Sequence, residues 1–203
     1  MSTIHEMEDK RLYKELERQL DVCKNERELA VFLKNNLILL RPLNVWANNY
    51  FKVFPEFKLG TKYVVDYLIV SADSGSWHTV FVEAQSHKDK MFTKIGNMTK
   101  ELNEGERQIT QWSNWVSNHN NEFRESLAAK IDGPARCSNA DDHVKASTEI
   151  RDYRTVINKY YKILIGRKAF LDKEKNQLRT RCNCDYEIVT YDRILDFLKP
   201  NDD

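Results

Sequence analysis

Two acidic residues interrupt stretches that otherwise have the composition of buried β-strands. Asp66 lies inside the run YVVDYLIV, and Glu83 lies inside the run VFVEA. The intervening SADSGS is rich in Asp, Ser and Gly, so the two runs are predicted to form a β-hairpin. With the turn near residue 75, Asp66 and Glu83 face each other, and opposite Cβ atoms lie about 4.5–5.5 Å apart.

Two carboxylates at that separation repel each other unless one is protonated or both bind a cation. Mg²⁺ takes oxygen ligands from one or two carboxylates and keeps positions for water and a phosphate. Such an ion lowers the pKa of a bound water and neutralises charge on a phosphate. The pair therefore predicts a phosphodiesterase centre, although its spacing also fits two acids that face solvent from an amphipathic hairpin.

Composition limits the classes of function. The chain has 203 residues with a net charge of +1, so DNA contact requires a local basic patch. No apolar run approaches the ~20 residues of a membrane helix, and the charged N-terminus lacks a secretory signal. We expect a cytoplasmic protein with no membrane partner. The four cysteines lack CxxC spacing and are expected to be reduced thiols: Cys23, Cys137, Cys182 and Cys184.

The surrounding pattern predicts the elements that position these acids, in the order α–β–β–β–α–loop–β–α–β–α. Residues 1–25 form an N-terminal helical segment, and residues 26–203 form an α/β domain with a mixed sheet flanked by helices. Helices are predicted over 5–22, 26–35, 99–117, 122–131, 172–181 and 193–199; strands over 45–57, 62–70, 78–86, 159–170 and 186–192; and a loop over 132–147.

The hairpin and the following helix resemble the signature of the PD-(D/E)XK nuclease superfamily. Asp66 stands for the first acid, VEAQ for the E-x-K element, and Gln108 with Trp112 in ERQITQW for the Q-x-x-x-Y element. Five segments are similar, in order, to the Shedu antiphage nuclease domain over about residues 26–198: FKLGTKYVVDYLIV, VFVEAQS, FTKIGNMTKELNEGERQITQW, ILIGR and EIVTYDRIL.

This resemblance implies a restriction-endonuclease-like core and a bacterial defence protein that hydrolyses DNA with Mg²⁺, or with Mn²⁺ in its place. It implies that Asp66, Glu83 and the carbonyl of Ala84 bind the metal. It also implies that the protein assembles as a homo-oligomer.

One position departs from the signature, because Gln85 occupies the place of the Lys. An amide is neutral but can hold a water or a phosphate oxygen. Lys88 is close enough in sequence to supply a cation, and His87 shares the strand parity of Glu83 and is a further candidate base.

Helical residues give additional candidates. Glu28 could complete the metal shell, although a capping box with Asn25 is the favoured explanation. Gln108 could contact the metal-bound water or a phosphate, whereas Trp112 is expected in the core. A cluster of lysines could follow a phosphate backbone or form a solvated face: Lys88, Lys90, Lys94 and Lys100.

Three functional hypotheses remain open at this stage. The first is a Mg²⁺-dependent DNA endonuclease that uses Asp66, Glu83, Gln85, Lys88 and Gln108. The second is a catalytically silent module that keeps the fold and binds DNA or assembles with other copies. The third is an RNA nuclease with the same site.

Overall fold

The structure, a computed structural model, describes residues 4–44, 50–73, 75–131, 145–181 and 185–199. Within these ranges the helices are α1 Ile4–Val22, α2 Glu26–Asn35, α3 Lys100–Asn118, α4 Asn120–Ala128, α5 Ala146–Arg151, α6 Lys173–Arg181 and α7 Asp192–Leu198. The strands are β1 Tyr50–Leu59, β2 Tyr63–Ala72, β3 Trp77–Ala84, β4 Ile157–Leu164 and β5 Glu187–Val189. Short 3₁₀ segments cover Leu37–Leu43 and Lys168–Phe170.

The five strands form one mixed sheet in the order β1-β2-β3-β4-β5. β2 pairs antiparallel with both β1 and β3. Trp77 N donates to Val156 O, and two residues later in both segments Thr79 Oγ1 donates to Asn158 O. The partners advance in the same direction along the chain, so β3 and β4 run parallel. The predicted α/β class with a mixed sheet and flanking helices is confirmed, and the PD-(D/E)XK core stays a prediction.

The chain divides into two compact units. The first unit comprises Met1–Leu43, Gln85–Asn103 and Ile163–Asp203, and the second comprises Asn44–Ala84 and Glu104–Lys162. The predicted boundary after residue 25 stays a prediction. No helix in the described part of the chain combines the length and apolar character needed to cross a membrane.

The core of the second unit is built on one face of the hairpin. The ring of Phe81 on β3 packs against Phe123 of α4 at 5.5 Å and stacks on Tyr161 of β4 at 4.9 Å. Phe57 of β1 meets Phe123 edge-on at 6.3 Å. Helix α3 buries Ile109, Trp112 and Val116 at three- and four-residue steps, which confirms Trp112 as a core residue.

In the first unit, α1 buries Leu12, Leu16 and Leu20 at the four-residue steps that predicted this helix. A close backbone approach fixes the segment that follows β3. Gly166 has a φ of +62°, and a Cβ there would lie 2.4 Å from the carbonyl oxygen of Asp89. Only glycine fits this position, because both the dihedral angle and the contact exclude a side chain.

The structure differs from the sequence prediction in several elements. The strand predicted over 159–170 ends at Leu164, and Lys168–Phe170 forms a 3₁₀ segment. Helix α5 begins at Ala146, inside the predicted loop. Asp192 stands directly before RILDFLK, a position typical of a helix cap. Its side chain makes no cap and instead accepts hydrogen bonds from Arg167 Nε at 3.0 Å and Lys168 N at 2.6 Å. Several predictions lie outside the described residues, namely the first residues of the 45–57 strand, most of the 132–147 loop, Cys137, Cys182 and Cys184. Cys23 is a buried free thiol.

Candidate metal centre on the hairpin

The hairpin register brings the two acids together. Tyr67 pairs with Val82, and each earlier pair in the ladder keeps the same register. The next pair along the two strands is Asp66 with Glu83. Directly opposed residues of an antiparallel pair project from the same face of the sheet. The predicted juxtaposition of Asp66 and Glu83 therefore follows from the observed register.

Asp66 is half-buried, and its carboxylate is held by the opposite strand. Its Oδ2 accepts a hydrogen bond from the backbone N–H of Ala84 at 2.9 Å. In an extended strand the N–H and C=O of one residue leave from the same edge. The carbonyl of Ala84 is therefore directed toward β2, the strand that carries Asp66.

Glu83 is 3% exposed, which is unusual for a carboxylate. Helix α3 supplies the hydrogen bond that orients it, because Gln108 Nε2 donates to Glu83 Oε1 at 2.7 Å. The amide oxygen of Gln108 is left as an acceptor for a further donor. The structure thus joins Gln108 to Glu83, and Gln108 acts on this carboxylate as a positioning residue.

Arg107, which the sequence prediction did not include, precedes Gln108 on α3. Its guanidinium pairs with Glu104, and the hydrogen bond to Glu104 raises the Arg107 pKa most. The charge of Glu104 adds to this effect, and the charge of Glu83 makes a smaller contribution in the same direction. The Arg107 cation therefore lies within electrostatic reach of the acidic pair. Its place directly before Gln108 is the sequence signal that could have identified it.

Lys162 is a buried lysine of the second unit, 2% exposed, and is a natural candidate for the missing motif Lys. The stacking of Tyr161 on Phe81 places Tyr161 on the face that carries Glu83. Strand alternation then directs Lys162 to the opposite face. Lys162 therefore does not replace the Lys of the signature at the acidic pair.

The donor chemistry of this site fits a hard divalent cation. Asp66, Glu83 and the Ala84 carbonyl offer only oxygen, which Mg²⁺ prefers. Among the described residues no group of three or more His, Cys, Asp or Glu side chains is arranged to hold a metal. Mg²⁺ does not require such a cage, since one or two carboxylates with water and substrate phosphate suffice.

Residues 24–195 match the family model described as Shedu protein SduA, C-terminal. The chain belongs to this Shedu family. Membership implies a part in antiphage defence, and no curated protein matches the chain. The match spans the Shedu segments named from the sequence, including both arms of the hairpin and helix α3.

Glu28 of this Shedu chain lies in the first unit, where it completes the capping box of α2. Glu28 Oε2 accepts from Lys24 N at 2.8 Å, and Oε1 accepts from Asn25 Nδ2 at 3.1 Å. The Asn25 side chain in turn accepts from Glu28 N at 3.0 Å. Both Glu28 oxygens therefore serve the helix terminus, and its role as a metal ligand stays a prediction.

Gln85 and Lys88 also lie in the first unit. The backbone N of Gln85 donates to Leu164 O at 2.8 Å, and its carbonyl accepts from the hydroxyl of Tyr191 at 2.8 Å. Tyr191 is 1% exposed, so this contact anchors the chain directly after β3. Lys88 is exposed, and its backbone N bonds Ser86 Oγ at 3.1 Å. The catalytic roles of both side chains stay predictions.

His87, the alternative base, is 1% exposed and packs edge-on against Tyr191 at 6.1 Å. Burial lowers the His87 pKa most, and the nearby charges of Lys88 and Arg167 lower it further. The backbone carbonyls of Leu20 and Cys23 act in the opposite sense but do not offset burial. The structure places this neutral imidazole in the interior of the first unit, away from solvent.

Proposed function

We propose that this Shedu chain is a metal-dependent endonuclease that hydrolyses DNA phosphodiester bonds in antiphage defence. One observation supports it above all. The hairpin register sets Asp66 and Glu83 on the same face, and Gln108 of α3 orients Glu83 by a hydrogen bond. The buried Glu83 and the half-buried Asp66 offer the carboxylate oxygens that a hard divalent cation prefers, which argues for a binding role.

The proposed centre uses Asp66, Glu83 and the Ala84 carbonyl to hold Mg²⁺, which Mn²⁺ can replace. When bound, the ion lowers the pKa of water and offsets negative charge on the scissile phosphate. Asp66 is fixed by the Ala84 N–H, and Gln108 fixes the rotamer of Glu83. The Gln85 amide orients the attacking water, and Lys88 supplies positive charge to the phosphate.

The test is nicking of supercoiled plasmid in Mg²⁺, in Mn²⁺ and in EDTA. Asp66→Asn and Glu83→Gln should each reduce the cleavage rate below about one hundredth of wild type, because each removes charge that the transition state needs. Glu125→Gln is the matched control, since Glu125 pairs with Arg151 and its side chain is 62% exposed. The control should cleave at the wild-type rate. Sedimentation of the same samples tests the proposed homo-oligomer.

The neutral Gln85 favours a second candidate, a silent module that binds DNA or assembles with other copies. The discriminating variant is Gln85→Lys, which restores the motif cation. For the endonuclease we expect cleavage at or above the wild-type rate. A wild-type protein that binds DNA but cuts with neither metal supports the silent module. Complete loss of cleavage in Gln85→Lys would show that the amide has a role that a cation cannot fill.

A further inference from the structure

Residues 90–99, which we call the lysine loop, form a small hairpin in the first unit. Phe92 and Met98 make an antiparallel bridge, and Thr93 N donates to Asn97 O at 2.8 Å. Gly96, with a φ of +85°, makes the tight turn. The base of the loop is anchored because Phe92 is 4% exposed, while the tip faces outward.

The lysine loop, the 3₁₀ segment Lys168–Phe170 and the start of α6 together line a surface cavity of about 400 Å³. Three lysines and two phenylalanines dominate its wall, and no carboxylate belongs to the described lining: Lys90, Lys94, Lys175, Phe92 and Phe170. These residues come from two parts of the chain about eighty positions apart, so the cavity is a product of the fold. Its charge and its aromatic rings favour an anionic ligand with an apolar part.

Two of these lysines have uncompensated charges. Neither Lys90 nor Lys94 forms an ion pair with any acid of the described chain, and both are exposed. Lys175 differs, because its Nζ lies 2.8 Å from Asp172 Oδ2 and its side chain is 22% exposed. The cavity therefore has a local excess of positive charge, although the chain as a whole carries a net charge of only +1.

A second cavity of the first unit, of about 500 Å³, provides a contrast. Its wall also carries basic side chains, but Lys168 pairs with Asp196 and Arg193 pairs with Glu187. Lys168 and Arg193 are therefore neutralised by carboxylates of the same wall, and Arg179 donates to the carbonyl of Ile188 at 2.7 Å. The unpaired lysines single out the smaller cavity as the better anion site.

The tip of the lysine loop carries an apolar side chain beside the charge. Ile95 is 81% exposed, the second-highest exposure among the large hydrophobic side chains described. Nucleic-acid-binding proteins insert such aliphatic side chains into a groove between flanking phosphate contacts.

We infer that the lysine loop is a DNA-docking element, in which Lys90 and Lys94 bind phosphates of a duplex while Ile95 enters its groove. This inference rests on the proposed function and names the surface through which the substrate is held. The lysines give affinity without sequence preference, since phosphate contacts carry no base information. The duplex is thereby bound by the lysine loop, which follows the proposed catalytic hairpin in the chain.

The test measures anisotropy of a fluorescent 20-base-pair duplex (roughly two helical turns) in EDTA over a salt series. Lys90→Gln/Lys94→Gln should weaken binding at least about tenfold and reduce the slope of log affinity against log salt by up to about 1.8. The matched control is Lys10→Gln/Lys14→Gln, which removes equal charge from exposed positions of α1. The control should keep the wild-type slope, and thermal unfolding verifies that all proteins are folded.

Ile95→Ser separates the groove contact from the phosphate contacts. It should weaken binding about threefold to tenfold while the salt slope stays at the wild-type value. Equal slopes for the lysine variant and its control would overturn the inference. So would a lysine variant that loses binding to anionic lipid vesicles but keeps DNA affinity.

Cleavage assays on the same proteins distinguish this inference from the proposed activity. A wild type that never cuts, but whose DNA binding depends on Lys90 and Lys94, overturns the nuclease and leaves the docking element standing. A lysine variant that binds and cuts like wild type overturns the docking element alone.

Discussion

Glu83 and Arg124 are two of the charged side chains buried in the second unit, and their surroundings differ in kind. Glu83 is 3% exposed at the end of the hairpin, and Arg124 is 8% exposed on α4. Burying an ion costs free energy unless hydrogen bonds or an opposite charge compensate it. The groups that compensate each buried charge therefore indicate what that charge does in the fold.

Arg124 is compensated mainly by backbone carbonyls, which accept from its two Nη atoms, while its Nε is buried without a hydrogen-bond partner among the described residues. Its Nη1 donates to Ile150 O at 2.8 Å and to Asp152 O at 3.0 Å, and its Nη2 donates to Thr155 O at 2.7 Å. These carbonyls lie at and beyond the C-terminal end of α5, where a cation is favoured. Burial lowers the Arg124 pKa, and the charge of Asp152 partly opposes this shift. Glu83, in contrast, accepts a hydrogen bond from the neutral amide of Gln108 and faces a second acid.

The largest expected effect tests the structural half of this comparison. Arg124→Met should lower the free energy of unfolding by about 2–4 kcal/mol, because three carbonyls lose their donor. Chemical denaturation measures the change. Arg151→Met is the matched control: that side chain is 43% exposed and pairs with Glu125, so we expect a loss below about 1 kcal/mol. Equal losses in the two variants would contradict the assignment.

A buried imidazole gives the intermediate case, a titratable group that the fold keeps neutral. Burial lowers the His87 pKa, so the unfolded chain takes up a proton first as pH falls below about 6.5. Stability attributable to His87 is therefore complete at higher pH and declines on acidification, by up to about 1.4 kcal/mol per pH unit. His87→Gln should flatten the stability profile between about pH 7 and 5. His119→Gln, an exposed control, should retain the wild-type slope.

The smallest effect on stability is expected at Glu83, with a sign opposite to that at Arg124. Without metal, Glu83→Gln should unfold at the same free energy as wild type or up to about 1 kcal/mol higher, because a like-charge pair is removed. Wild type should gain about 1.4 kcal/mol when Mg²⁺ exceeds its dissociation constant tenfold, and Glu83→Gln should gain none. A wild type that Mg²⁺ does not stabilise would remove the basis for a metal centre.

The acidic pair was predictable because two strong local signals agreed. β-Branched runs on both sides of an Asp-Ser-Gly turn define a hairpin, and the turn position alone fixes which residues oppose. The register Tyr67–Val82 continues to Asp66–Glu83 as the symmetry about the turn requires. Leucines at four-residue steps also identified α1, because burial of one helix face imposes the helical period on the sequence.

Other features depend on contacts between distant segments and left no such trace. Helix α5 has six residues and buries only Ala146 and Ile150, too few for a recognisable period. An arginine on an amphipathic helix is normally predicted to face solvent. Only the folded structure shows that Arg124 donates hydrogen bonds to carbonyls at the end of α5. Asp192 follows the rule for a helix cap, but Arg167 and the backbone of Lys168 engage it instead.

The glycine of ILIGR has a consequence for engineering. Its missing side chain lets two backbones touch, with Gly166 N donating to Ser86 O at 3.1 Å. In a saturation library, every substitution at codon 166 should be depleted, even alanine, because a methyl group would have to occupy space filled by the carbonyl of Asp89. The segment 86–89, which precedes the lysine loop, is thus held against Gly166 within the first unit, and exchange of that loop between relatives should succeed only when this glycine is retained.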